Sequence, residues 1–140
     1  MIDASSLFSV EGRIALVTGG SAGIGRMIAE GLAAAGARVY ICARNAEKVA
    51  AAAEVITGDV TGISADLSTL DGIQTLVADL SAMEDALHIL VNNAGTLSDA
   101  PIDTFSEQDW DGVLDLNLKS PFFLLQKLLP LLRNGATAQR

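Results

Sequence analysis

The chain has 140 residues, half of them hydrophobic, with 17 acidic against 9 basic side chains and a formal net charge of -8. That is room for one modest domain with a core of its own, and so apolar a chain is not disordered. The acidic balance excludes nucleic-acid binding, which needs a basic footprint, and the carboxylates are scattered as on a solvated surface.

Residues 1–12 read as a polar lead-in, with Leu7, Phe8 and Val10 folded against the body. Ile14-Ala15-Leu16-Val17 is the apolar run of a buried parallel strand. It breaks into Thr18-Gly19-Gly20-Ser21-Ala22-Gly23-Ile24-Gly25 and then becomes a helix with Ile24, Ile28 and Leu32 on one face, ending near Gly36. Arg38 to Ala43 is a second strand, and Asn45 caps a short Ala-rich helix through Ala53. Val60 to Ala65 is a third strand, less apolar, as at a sheet edge. Ser68-x-x-Asp71 resembles a capping box, with Ile73, Leu76, Val77, Leu80 and Met83 on one helical face behind it. Ile89-Leu90-Val91 is a fourth strand, ending in Asn92-Asn93-Ala94-Gly95. A loop runs to Thr104, and Ser106-x-x-Asp109 starts a long helix reaching about Arg133.

This alternation, without a repeat or a linker, predicts an α/β fold of the Rossmann type. Its doubly wound parallel sheet would have strand order 3-2-1-4, with helices on both faces. Ligands of such sheets bind at the carboxyl ends of the strands where the order reverses, here strands 1 and 4. The glycine turn and the Asn-Asn-Ala-Gly turn both fall there. A strand, a glycine turn and a helix suit a phosphate: the first helical N–H groups lack internal partners, and the dipole favours an anion. No G-K-[ST] follows, so a phosphate-loop NTPase lacks its lysine and its magnesium hydroxyl.

The loop T-G-x-x-x-G-x-G (Gly19, Gly23, Gly25), the tetrapeptide Asn92 to Gly95 and Asn117 in the helix beyond, in this order and spacing, resemble the short-chain dehydrogenases/reductases of the classical type. The resemblance covers Gly12 to Arg133. The segments ARVYICAR, HILVNNAGT and QKLLPLLR are most similar to the 3-oxoacyl-[acyl carrier protein] reductases, notably of the rhamnolipid-pathway type. It implies an NADP(H)-dependent oxidoreductase passing hydride between nicotinamide and a carbonyl or alcohol carbon, here the 3-oxo group of an acyl thioester.

The cofactor contacts implied are Gly19, Ser21, Ala22, Gly23, Ile24 and Gly25 in the loop, Arg44, Asp66 and Leu67, and Asn93, Ala94 and Gly95. An acid that would mark NAD preference belongs eighteen residues beyond Gly25, where Ala43 stands, and the next residue is Arg44. An Arg there suits the 2′-phosphate of NADP. The basic residue that many NADP-using relatives carry before the second loop glycine is absent, since that residue is Ala22. In the family the residue matching Asp66 accepts from the adenine amino group. Asn92 reads equally as structural or as a contact.

Asn117 matches the Asn of a Ser-Tyr-Lys-Asn catalytic tetrad, in which its main-chain carbonyl binds a water. Pro121 lies four residues on with no N–H to give that carbonyl, so a kink is expected there. The Y-x-x-x-K motif is absent: the only tyrosine, Tyr40, is followed four residues later by Arg44. The resemblance places the Ser, Tyr and Lys after Arg140, so residues 1–140 read as the N-terminal, cofactor-binding portion of one such domain. The alternatives are a non-catalytic NADP-binding or oligomerisation module, and a reductase of another carbonyl such as a steroid or sugar.

After Pro121 the helix is apolar nearly all round, with one face for the sheet and the other expected to meet another subunit, and the resemblance implies a homodimer or homotetramer through the 106–133 helix. His88 reads as a surface or packing residue and Trp110 as packing. Cys42 reads as a small buried hydrophobe in a chain without disulfides, and the expected place is the cytoplasm. There is no signal-peptide pattern, no metal-ligand cluster is expected, and Pro121 to Leu132 is too short and too broken to span a bilayer.

Overall fold

The computed structural model describes residues 3–137. Four parallel strands, β1 (Ile14–Thr18), β2 (Arg38–Ala43), β3 (Val60–Ser64) and β4 (Ile89–Val91), form one sheet in the order β3-β2-β1-β4. The doubly wound order expected from the alternation of elements is the one observed. Helices α2 (Gly23–Ala34) and α3 (Ala46–Val55) cover one face; α4 (Leu70–Met83) and α6 (Ser120–Thr137) cover the other.

The period-2 geometry of a strand divides the core between these faces. Ala15, Val17, Val39 and Ile41 point to α2 and α3, while Leu16, Tyr40 and Ile63 point to α4 and α6. Leu76, Leu80, Leu124 and Leu128 are fully buried on the second side, each contributing about 2 kcal/mol of transfer free energy.

Several local expectations are corrected. In α2 the buried seam is Gly25, Ala29 and Ala33, whereas Ile24 is 69% exposed and Ile28 and Leu32 are half-buried. Small residues on that seam let the helix backbone approach the sheet more closely than Ile and Leu would. Of the lead-in, only Val10 packs on the core; Leu7 and Phe8 lie exposed at the end of a one-turn helix, α1 (Ala4–Leu7). Helix α4 is capped by Thr69, whose hydroxyl accepts from the Gly72 amide, and not by Ser68. Ser68 instead donates to Asp66, and Met83 is exposed. Asn45 caps α3 as expected, accepting from the Lys48 amide.

His88 is part of the sheet's scaffold. Its ring Nδ1 accepts from the Ile14 amide at 3.0 Å and its own amide donates to the Ile14 carbonyl at 2.9 Å, so its ring proton is on Nε2. Near this end of the sheet, Glu84 is buried at the end of α4. Its Oε1 accepts from the Tyr40 hydroxyl at 2.6 Å and the Arg38 guanidinium at 2.9 Å, and Arg38 also reaches Asp59. Burial first, and then the bond to the Glu84 carboxylate, push the Tyr40 phenol up to about 12.

The long helix expected over 106–133 is two helices with a widened turn between them. Helix α5 (Glu107–Leu114) opens with the capping box foreseen at Ser106 and Asp109. Residues Asp115–Lys119 form a π turn, in which the Ser120 amide donates to the Asp115 carbonyl five residues back, and α6 follows. Among the described residues no helix is long and apolar enough to cross a membrane.

Candidate functional site: the cleft at the ends of β1 and β4

A cleft of about 260 Å³ opens at the carboxyl ends of the strands. Six residues expected from sequence line it: Gly19, Arg44, Leu67, Asn93, Ala94 and Gly95. Cys42, Ala43, Ala65, Thr96 and Leu116 complete the lining.

Gly19 turns away from β1 at φ +66°, in the left-handed region glycine favours, and an added Cβ would press on the Asn93 amide and the Ala94 backbone. Gly25 sits so close to the loop that a Cβ would overlap the Gly19 carbonyl oxygen and the Asn93 amide nitrogen. Ser21 is half-buried in the loop. Ala22 is the N-cap of α2 and has no side chain to offer the first-turn amides, so no side-chain cap satisfies them. Gly23 and the exposed Ile24 open the helix. The donors that a Ser or Asp would take up in an ordinary helix are left for a ligand.

Asn93 fastens this loop to β4. Its side-chain amide donates to the carbonyls of Thr18, at 3.0 Å, and Gly19, at 3.3 Å. The Thr18 hydroxyl accepts from the amides of Asn93 and Ala94, each at 3.0 Å, and donates to the Val91 carbonyl at 3.3 Å. One buried hydroxyl thus joins the ends of the two strands at which the order reverses. In the sequence Thr18 stands only as the start of the glycine motif; a hydroxyl closing an apolar strand next to a reversal point is the signal it carries.

Arg44, just past β2, is exposed and makes no ion pair among the described residues; its carbonyl accepts from the Ser64 hydroxyl. Asp66 is exposed beside the cleft and outside its lining. The Ser68 hydroxyl at 2.7 Å and the Ser68 amide at 3.0 Å both donate to its Oδ1. Those bonds, the hydroxyl's foremost, together with the Arg44 charge, hold its carboxyl below the usual range against a modest desolvation. Leu67 is buried against the core and forms part of the floor. Cys42 is buried as expected, which pushes its thiol up to about 12.

Asn117 does not line this cleft, and its side chain makes the contacts. Oδ1 accepts from the Thr96 amide at 2.8 Å and Nδ2 donates to the Thr96 carbonyl at 2.7 Å, a two-point clamp on the segment leaving Gly95. The helix is interrupted where Pro121 predicted, as a π turn. Leu116, one residue before Asn117, reaches the cleft. Trp110 is 59% exposed and not a packing residue; it borders a second, apolar hollow with Leu97 and Phe105.

A family model described as short chain dehydrogenase matches residues 13–139. The chain belongs to the short-chain dehydrogenase family. The chain is 51% identical over 134 residues to the rhamnolipids biosynthesis 3-oxoacyl-[acyl-carrier-protein] reductase of Pseudomonas aeruginosa, covering 94% of this chain and 52% of the relative. It is 38% identical to gluconate 5-dehydrogenase of Gluconobacter oxydans, covering 86% and 48%. Among solved structures it matches the Pseudomonas aeruginosa RhlG/NADP active-site complex with TM-score 0.88 and 51% identity, over 91% of this chain and 51% of that one. It also matches L-sorbose reductase from Gluconobacter frateurii complexed with NADPH and L-sorbose, with TM-score 0.83 and 32% identity, over 89% and 49%. The chain spans about half the length of these relatives.

Proposed function

We propose that residues 1–140 are the N-terminal, cofactor-binding portion of an NADP(H)-dependent oxidoreductase that reduces a carbonyl, of the 3-oxoacyl-[acyl-carrier-protein] reductase type. The observation that carries the cofactor reading is a pair: the helix α2 N-terminus without a side-chain cap, and Arg44 at the end of β2 where an acid would mark NAD. The residues fit the group. The amides around Ser21, Ala22, Gly23 and Ile24 donate to the pyrophosphate, and Gly19 and Gly25 keep Cβ atoms out of its path. Arg44, in the lining, would take the 2′-phosphate as a charge-assisted partner. Asp66 would accept from the adenine amino group, and Leu67 would lie beside the base. Asn93, Ala94 and Gly95 back the ribose.

When bound, NADPH supplies the hydride. The chain's own part is to hold and orient: Thr18 and Asn93 join the two strand ends, and Asn117 fixes Thr96 at the rim. We assign Asn117 the catalytic position of the tetrad through its main-chain carbonyl, to which Pro121 has no N–H to give, while its side chain positions Thr96. The acyl-thioester preference is supported by the 51% identity to a 3-oxoacyl-[acyl-carrier-protein] reductase. A sugar carbonyl is the second reading, favoured by the likeness to L-sorbose reductase and gluconate 5-dehydrogenase. A non-catalytic NADP-binding module is the third.

We also assign homodimer or homotetramer contact to the helices over 106–133, where Leu118 and Phe122 are more than 60% exposed. Sedimentation of Phe122→Asp beside the parent chain checks it: a parent that is monomeric refutes the contact. Substrate and cofactor are tested together by the intact mass of the protein, its reading frame past residue 140, and NADPH consumption with a 3-oxoacyl thioester against L-sorbose. Y-x-x-x-K downstream and faster consumption with the thioester are expected. Binding of NADPH without consumption of either substrate leaves the module, and no NADPH binding refutes the cofactor reading.

A further inference from the structure

We propose that Pro121 is a positioning residue for the cleft, forcing the π turn that aims the Asn117 amide at Thr96 while Leu116 faces the cleft. In an uninterrupted α-helix the position of Pro121 would donate to the Asn117 carbonyl; proline has no N–H, and its ring crowds the carbonyl four residues back. The chain relieves this by widening the turn before it, as the hydrogen bond from the Ser120 N–H to the Asp115 carbonyl shows. One extra residue in a helix turns everything on one side of it by roughly 100° relative to the other.

That rotation cannot leak away at either end. The N-terminal side, α5, is pinned by the Ser106–Asp109 capping box and by the Ser98 hydroxyl, which donates to Asp109 at 3.0 Å. The C-terminal side, α6, is pinned by the fully buried Leu124 and Leu128. The widened turn therefore stays between them, where Leu116 meets the cleft and Asn117 grips both polar groups of the Thr96 backbone. Thr96 itself lines the cleft. A residue that touches neither the cleft nor Thr96 thus sets the rim through its effect on the turn.

The test is amide hydrogen exchange on the purified protein without cofactor, comparing Pro121→Ala, Pro121→Ser and Asn117→Ala with the parent. Both proline variants return an N–H to the Asn117 carbonyl and favour the α register. The Thr96 amide should then exchange about tenfold faster, the scale of one lost hydrogen bond. Asn117→Ala should speed it at least as much. The Val39 amide, buried in the sheet and bonded to the Asp59 carbonyl, should be unchanged in all three. Thr96 protection that survives both proline replacements but not Asn117→Ala overturns the role of Pro121. Protection that survives Asn117→Ala overturns the clamp. Faster exchange at Val39 as well means that Pro121 supports the whole fold, which also overturns a local positioning role. The inference uses the NADP(H) reading only for what the cleft holds, and exchange without cofactor succeeds or fails independently of that reading.

Discussion

Replacing Thr18 tests whether one hydroxyl holds the cleft together. Thr18 is 2% exposed, and its Oγ1 serves two amide donors and one carbonyl acceptor. Thr18→Val keeps the shape but faces the Asn93 and Ala94 amides with a methyl. A buried donor left unpaired costs about 1–3 kcal/mol, and these two are part-buried, so the loss should be about 3 kcal/mol. Thr18→Ala leaves the same amides unpaired, lets water approach from the cleft, and removes a methyl worth about 1 kcal/mol, for a similar total. Thr18→Ser keeps every hydrogen bond and should cost only about 1 kcal/mol, the methyl alone. Urea unfolding gives the differences as midpoint shifts at constant slope. NADPH titration should separate the variants in the same order, because the Asn93 amide that braces Gly19 depends on this junction. Equal losses for Ser and Ala would mean that the methyl matters and the hydroxyl does not. A Val variant as stable as the parent would refute the hydrogen-bond argument outright.

Gly25→Ala must push the Gly19 carbonyl and the Asn93 amide apart; an overpacking cost of about 1–3 kcal/mol in urea unfolding and at least about tenfold weaker NADPH binding are expected. Arg44→Ala should weaken NADPH by roughly tenfold or more while leaving NADH nearly unchanged, measured by calorimetry; equal loss for both would remove Arg44 from the 2′-phosphate. Tyr40, the only tyrosine, should ionise near pH 12 in an absorbance titration. Because its folded value lies above the usual value near 10, the stability it lends is whole below about pH 10 and is lost as the pH rises through about 12. Tyr40→Phe should remove that alkaline loss. The Cys42 thiol, buried and pushed up to about 12, should resist a thiol reagent until the chain unfolds.

The order of elements, the sheet topology and the position of the cleft are legible in the sequence because they follow from patterns that run through many residues. Apolar strands alternate with helical periods, and glycines or Asn-Asn-Ala-Gly fall at strand ends. Caps whose acceptor is unambiguous, at Asn45 and at Ser106 with Asp109, are legible for the same reason. What escapes reading depends on distances between segments. Hydrophobicity favours Ile24, Ile28 and Leu32 as the inner face of α2. The close approach at Gly25 instead selects the face whose side chains are smallest. At the start of α4, Ser68 and Thr69 compete for the cap; Asp66 captures Ser68, and Thr69 is left to do it. Pro121 announces an interruption, but whether it becomes a bend or a wide turn is decided by how α5 and α6 are each anchored. The pair of hydrogen bonds between Asn117 and Thr96 spans 21 positions and leaves no local trace.

The junction between β1 and β4 also fixes when the cleft can exist during folding. Contacts that join β2 to the parallel β3 are closer in sequence, such as Arg38 with Asp59 at 21 positions and Ser64 with Arg44 at 20. Thr18 and Asn93 are 75 positions apart. Closing the longer loop costs more entropy, so β1-β2-β3 should assemble before β4 arrives. The cleft is then the last part of the sheet to mature, and a folding chain has nothing to offer a nucleotide until that step is complete. A ligand that binds only the finished cleft will slow the departure of β4 and lengthen the lifetime of the native state, with little effect on how fast the chain first folds.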